Sequence, residues 1–178
     1  LVMELIEGGA LAACRLIRDY ARNPLSKSVT ASVMQDESRH VAFGRLALRD
    51  YYPQLTDKER DEREEFVVEG CYLLRDRFLA DEVWECLGLP VAECKEWVDH
   101  SELMRVYRTS LFSRIVPTIR DIGLWGPRIR KAYADMGILG FAEGDVEGMG
   151  LRDEVVAKEL DARLAEIEST AATATAIA

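Results

Sequence analysis

A carboxylate and an imidazole lie three residues apart in the first third of the chain, as Glu37-x-x-His40. If this stretch is helical, the two side chains project from one face of the helix, one above the other. Pairs with this spacing hold iron or manganese ions in the core of some four-helix bundles. A solvated Glu–His pair on a helix surface has the same spacing, so the spacing alone leaves both interpretations open.

The residues around the pair favour the metal-binding interpretation. Asp36 precedes the glutamate, Arg39 precedes the histidine, and the apolar or small run 41–44 follows. Small and apolar residues suit a helix that packs tightly in a bundle. No proline interrupts the stretch between Pro24 and Pro53. A long helix that carries the pair among apolar residues is therefore predicted.

The stretch Asp36-Glu37-Ser38-Arg39-His40-Val41-Ala42-Phe43-Gly44 resembles the second metal-binding helix of the ferritin-like di-iron carboxylate proteins. This superfamily includes the ribonucleotide reductase small subunit and the R2-like oxidases. The resemblance covers about the first third of the chain, roughly residues 1–52. It implies an all-α fold, a ferritin-like helical bundle with additional C-terminal helices, and a cofactor of two iron ions or an Fe/Mn pair.

The segment before the motif predicts a partner helix. Apolar residues at helical spacing indicate a helix over residues 1–22, and Asn23-Pro24 predicts a stop and a restart. A second helix over residues 25–51 ends at Tyr52-Pro53. So short a connection predicts an antiparallel hairpin.

The hairpin places an acidic residue level with the motif. Glu7 lies seventeen residues before Pro24, and Glu37 and His40 lie thirteen and sixteen residues after it. With a rise of about 1.5 Å per residue, Glu7 faces the pair most nearly, and Glu4 sits roughly one turn away. The resemblance implies that one glutamate of the preceding helix is a metal ligand. Glu7 is the predicted ligand, and Glu4 is the alternative.

The resemblance also implies supporting roles for two neighbours. Asp36 would accept the other ring proton of a ligating histidine, an interaction that orients metal ligands in many sites. Arg39 would neutralise a nearby carboxylate. The predicted metal ligands are therefore Glu7, Glu37 and His40, with Asp36 and Arg39 around them.

Two further residues are weaker candidates. Val68-Glu69-Gly70 repeats the pattern Ile6-Glu7-Gly8, but no Glu-x-x-His follows it. A partly buried Glu69 paired with an arginine is expected. His100 follows Glu96 by four residues, a spacing that also places both on one helix face. Because the helix is predicted to end there, a capping or surface histidine is expected.

Composition narrows the class of protein. The 178 residues are 48% hydrophobic and 31% charged, and the net charge is −9. This acidity argues against binding nucleic acid and against binding anionic membrane surfaces. There is no signal-peptide pattern and no apolar run long enough to span a bilayer, so a cytoplasmic protein is predicted. The four cysteines, without Cys-x-x-Cys spacing, are expected to be buried reduced thiols.

The remainder of the chain is predicted to be helical. Residues 1–139 are assigned to the ferritin-like domain, and residues 140–178 to an acidic loop, an exposed helix and a disordered Ala/Thr tail. A capping box at Thr56 begins a third helix, and its acidic first half is expected to pair with basic residues from the second half of the chain. The other predicted helices are 56–87, 90–97, 101–122 with a kink or break at Pro117, 128–136 and 151–167.

Together these residues predict half of a dinuclear site. A complete ferritin-like site needs another Glu and another Glu-x-x-His, expected upstream of Leu1 or from a second chain; relatives are commonly dimeric, so a homodimer is a candidate assembly. The predicted function is a non-haem di-iron (or Fe/Mn) oxidase or oxygenase that uses dioxygen on a small organic substrate. Ferritin-type iron oxidation and storage, or a metal-free structural or binding module, are the alternatives.

Overall fold

The computed structural model describes residues 2–177, with the side chains at 2–4, 6, 157, 164, 167, 168 and 170–177 left aside. Within residues 2–177 the chain forms eight α-helices and two short 3-10 turns, and no β-strand, which confirms the all-α prediction. The helices are α1 (Val2–Tyr20), α2 (Pro24–Tyr51), α3 (Asp57–Asp76), α4 (Asp81–Cys86), α5 (Val91–Asp99), α6 (Glu102–Asp121), α7 (Pro127–Asp135) and α8 (Val146–Ile177). None of these helices has both the length and the apolar character needed to cross a membrane.

Helices α1 and α2 form the predicted hairpin. The side chain of Asn23 accepts hydrogen bonds from the backbone amides of Leu25 at 2.8 Å and Ser26 at 3.4 Å. Pro24 occupies the first turn of α2, where its missing N–H costs nothing. The connection therefore forms as the Asn-Pro sequence predicts, and it fixes the register of the two helices.

Helix α6 carries the centre of the core. Leu111, Phe112, Ile115, Val116 and Ile119 are each at most 2% exposed. The sequence predicts a kink or a break at proline 117. No break occurs, because α6 is one helix from Glu102 to Asp121. Helix α1 packs against α6, so the hairpin is anchored to the core along this contact.

The third predicted helix ends earlier than expected. Its capping box forms between Thr56 and Glu59, but α3 stops at Asp76 instead of Leu87. Ala80 adopts left-handed backbone angles (φ 58°) before α4 begins, and such a conformation ends a helix. Periodicity did not reveal this break, because apolar residues continue at helical spacing on both sides of it.

Acidic residues of α3 do pair with the basic segment, as predicted. Arg128 of α7 donates to Asp61 at 2.8 Å. Glu64 is buried and accepts the backbone N–H of Gly126 at 2.6 Å. A Cβ at position 126 would lie 2.4 Å from the same carboxylate, so a larger residue here would displace Glu64 from this contact.

Helix α8 lies along α2 and is held there by buried polar contacts. Asp153, 7% exposed, accepts a hydrogen bond from Arg114 at 2.5 Å and lies 3.7 Å from Arg18. Ser28 donates to Asp161 at 2.8 Å. The segment predicted as an acidic loop over 140–150 thus already contains the first turn of α8, which packs on the body along its first half. The division of the chain after residue 139 stays a prediction.

The contact between Asp153 and its two arginines generates a test of how α8 is held. Replacing Asp153 with Ala leaves two arginines buried without their shared carboxylate, and removing one partner of a buried ion pair typically costs about 3–5 kcal/mol. We expect a loss of this order in the free energy of unfolding, measured by urea denaturation. Asp135→Ala is the control: its exposed pair with Lys131 contributes little, so an equal loss in both variants would contradict the expectation.

Candidate metal centre

The hairpin brings together the three predicted ligands. Nδ1 of His40 lies 3.3 Å from Oε2 of Glu37 and 3.7 Å from Oε1 of Glu7. One ligand atom of each residue lies within 4.8 Å of the other two. Across the described part of the chain, this is the one group of three or more His, Cys, Asp or Glu residues with that spacing.

These separations fit a shared cation. Two ligands each about 2.1 Å from one ion, with an angle of 90–120° between them, lie about 3.0–3.6 Å apart. The distances of 3.3 and 3.7 Å from the imidazole nitrogen to the two carboxylates are close to this range. Two carboxylates and an imidazole are donors that suit iron and manganese rather than soft metals.

The burial of Glu7 gives an independent reason for a cation. The side chain of Glu7 is 16% exposed, that of Glu37 26%, and that of His40 57%. Oε2 of Glu7 is buried and has no hydrogen-bond partner among the described residues. Burying a carboxylate oxygen without a partner costs free energy that a bound cation would offset. The residues present therefore fit a divalent metal ion.

Two glycines set the depth of Glu7. A Cβ at Gly8 would lie 3.1 Å from Cγ1 of Ile115, and a Cβ at Gly9 would lie 3.2 Å from Cδ2 of Leu74. The absent side chains let α1 approach α6 and α3 closely. Glycine weakens a helix interior, and close approach of the helices explains its presence at both positions.

A thiol that the sequence did not single out lies near the site. The pKa of Cys14 is raised, mainly because burial disfavours the thiolate and secondly because of the negative charge of Glu37. Cys14 is two turns after Glu7 on α1, half-buried and free. The register of the hairpin could have suggested the position of Cys14. In an antiparallel pair, residues of α1 that follow Glu7 face residues of α2 that precede His40.

A cavity of about 330 Å³ lies on the inner side of the hairpin, between α1, α2, α6 and α8. Four of its lining residues are sequence neighbours of the three candidate ligands: Gly8, Ser38, Arg39 and Val41. The surface of the wall is mostly apolar, and its charged residues are Arg39, Arg45, Arg114, Glu147 and Glu154. The cavity can therefore hold a small organic molecule next to the candidate metal centre.

Arg39 pairs with a nearby carboxylate, as its expected role requires, and that carboxylate is Asp36. Nη1 of Arg39 donates to Oδ1 of Asp36 at 3.1 Å, and both side chains are exposed. Asp36 is therefore engaged with Arg39, and the imidazole of His40 faces Glu37 and Glu7 instead. Their i, i+3 spacing places them beside the site but outside the group of three.

The remaining candidates lie apart from the centre. Glu69 is exposed, and the expected partial burial is wrong. His100 caps the C-terminal end of α5 with Nδ1 2.8 Å from the backbone oxygen of Glu96, as predicted for a capping residue. The side chain of Glu4, the alternative ligand, lies outside the described residues. All four cysteines are free, but the predicted burial holds only for Cys71: Cys14 and Cys94 are half-buried, and Cys86 is exposed.

The proximity of Cys14 to Glu37 gives a second test. Glu37→Gln removes the charge that raises the thiol pKa, so the pKa of Cys14 should fall towards the value set by burial alone. We expect iodoacetamide labelling of Cys14, followed by peptide mass spectrometry, to reach half its maximal rate at a lower pH.

Asp36→Asn is the matched control for that experiment, because it removes a neighbouring carboxylate that is paired with Arg39 and points to solvent. Its labelling profile should coincide with that of the unaltered chain. A profile for Glu37→Gln that also coincides would show that Glu37 does not face Cys14.

Comparison of the chain with known protein families, with curated proteins and with solved structures gave no match.

Proposed function

We propose that Glu7, Glu37 and His40 bind iron or manganese and form half of a dinuclear carboxylate centre. This centre uses dioxygen to oxidise a small organic substrate. The observation that carries the proposal is the convergence of three oxygen and nitrogen donors from two helices, one of them a carboxylate with a buried oxygen that lacks a partner. The ferritin-like resemblance of residues 36–44 supports the choice of metal and reaction.

The charge of the site supports a divalent metal. Two carboxylates within 4.8 Å of each other repel, and partial burial of both side chains strengthens the repulsion. One divalent cation offsets both charges. When bound, iron or manganese supplies the one-electron chemistry that dioxygen reduction requires.

The chain's own residues then have separate tasks. Glu7 and Glu37 supply negative oxygen donors from facing helices, and His40 supplies a neutral nitrogen donor through Nδ1. Buried α6 and the tethered α8 close the inner side of the hairpin against water. The cavity behind the ligands provides room for the organic substrate.

A metal-free helical module is the second candidate. The observation that favours it is the exposure of His40, whose imidazole already lies within hydrogen-bond distance of Glu37. In that case the three side chains link α1 to α2 and have no catalytic task. Metal binding separates the two candidates directly.

The decisive experiment is anaerobic titration of the purified chain with Fe²⁺ and with Mn²⁺, followed by metal analysis after desalting. We expect about one ion bound per chain at this half-site. Glu37→Gln and His40→Ala should each weaken binding by more than the roughly 10- to 100-fold typical of altering a group that only supports a ligand. The Fe²⁺-loaded chain should consume dioxygen, and the His40→Ala variant should not.

Glu69→Gln and His100→Ala are the matched controls, since they alter an exposed glutamate and a capping histidine away from the centre. Both should bind metal like the unaltered chain. Binding that is absent in the unaltered chain, or equal in all variants, would leave the metal-free module. Uptake of hundreds of ions per assembly would identify iron storage instead.

A further inference from the structure

The hairpin has one covered face and one open face. Helices α6 and α8 pack against its inner side. On the outer side of α2 the exposed residues are largely apolar, and they recur at helical spacing. These residues, between 42% and 71% exposed, are Leu25, Val29, Val33, Phe43 and Tyr51. We call this surface of α2 the open face.

The candidate metal centre lies within the open face. His40 is 57% exposed and falls between Val33 and Phe43 on the same side of α2. Exposed large apolar side chains in a contiguous row commonly mark an interaction surface. Because the ligand His40 lies in the middle of such a row, the site is placed to be completed by whatever covers the row.

The ligand count indicates what covers it. Dinuclear carboxylate centres in four-helix bundles take one glutamate from each of two helices and one Glu-x-x-His from each of the other two. The α1–α2 hairpin supplies one lone glutamate, Glu7, and one Glu-x-x-His, Glu37 and His40. A second copy of the same hairpin supplies the remaining half without any further residue.

We propose that the open face binds the open face of a second copy of this chain, so that a two-fold dimer completes the dinuclear metal centre. This inference rests on the proposed function, since the two metal ions lie between the copies. The two hairpins together form a four-helix bundle with the ligands in its core. In a two-fold dimer the same surface of each copy forms the interface: if residue i of one copy contacts residue j of the other, then j of the first contacts i of the second.

Charge at the edge of the open face is suited to the same symmetry. Asp36 and Arg39 are both exposed and lie one turn apart beside His40. A two-fold axis near His40 brings the Asp36 of one copy towards the Arg39 of the other, and the reverse. A surface that carries both charges in this arrangement can bind the same surface of a second copy. It would bind less well to a partner whose surface carries charges of only one sign.

The same geometry makes the dimer depend on metal. Without cations, four carboxylates from the two copies would be brought together and desolvated, at a large cost in free energy. Two divalent ions offset all four charges. Metal that binds the dimer more tightly than the monomer must, by linkage, strengthen the dimer. The metal-free chain is therefore expected to be monomeric at concentrations at which the metal-loaded chain is dimeric.

The test is analytical ultracentrifugation of the full chain with Mn²⁺ and with a chelator, combined with electron paramagnetic resonance of the Mn²⁺-loaded chain. We expect one Mn²⁺ per chain, a dimer with Mn²⁺, a monomer with chelator, and loss of the six-line signal of isolated Mn²⁺ through coupling between neighbouring ions.

Val33→Glu tests the surface itself. Val33 is an exposed apolar residue of the open face and is not a ligand, so the fold is expected to persist, as checked by circular dichroism. A carboxylate buried there without a partner should weaken the dimer by about 100-fold or more. Leu103→Glu, at an exposed leucine of α6 outside the open face, is the matched control and should leave the dimer unchanged.

The outcomes separate this inference from the proposed function. A monomer that binds one Mn²⁺ with an intact six-line signal would overturn the dimer and leave metal binding standing. A dimer that persists in Val33→Glu would also overturn it, because the open face would not be the contact. A dimer that persists with chelator would overturn it as well, because metal ions between the copies would not be needed to hold them together. A chain that binds no Mn²⁺ would overturn the proposed function and this inference together.

Discussion

Two carboxylates meet across the α1–α2 hairpin, and the surrounding structure has to hold these like charges close together. Glu7 and Glu37 approach the same imidazole nitrogen, and one oxygen of Glu7 is buried without a hydrogen bond. Like charges in a partly desolvated site repel. A positive charge between the two acids relieves that repulsion. A divalent ion supplies that charge with the ligand types and spacing already present.

The position of the two acids depends on contacts far from them in sequence. Asn23 and Pro24 fix where α2 begins and therefore which residues of the two helices are level. Gly8 and Gly9 let α1 sink against Ile115 and Leu74, which places Glu7 below the surface of the hairpin. Packing of α1 on α6 and α3 thus holds the two acids in place. The stability comes from the apolar side chains buried in this packing, not from the acids themselves.

The hairpin divides the molecule into a covered inner side and an open outer side. On the inner side, Asp153 of α8 pairs with Arg114 and Arg18, and this holds α8 along one wall of the cavity beside the candidate ligands. On the outer side, apolar residues surround His40 and remain exposed. A centre shared between two hairpins needs space for a substrate on one side and an interaction surface on the other. The candidate ligands lie between the two.

Local sequence determined the helix pair and the candidate ligands, because each depends on spacing within one helix or on one short turn. Glu37 and His40 share a face through helical periodicity alone, and the Asn23-Pro24 turn was enough to place Glu7 level with them. Tertiary structure decided how deeply Glu7 is buried, that Cys14 lies near Glu37, and that Asp36 turns to Arg39 rather than to the imidazole. It also decided that α8 packs on the rest of the molecule, since Arg114, a buried partner of Asp153, lies 39 residues away along the chain. Such contacts depend on which surfaces meet when the helices pack, and the periodicity of a single helix carries no information about that.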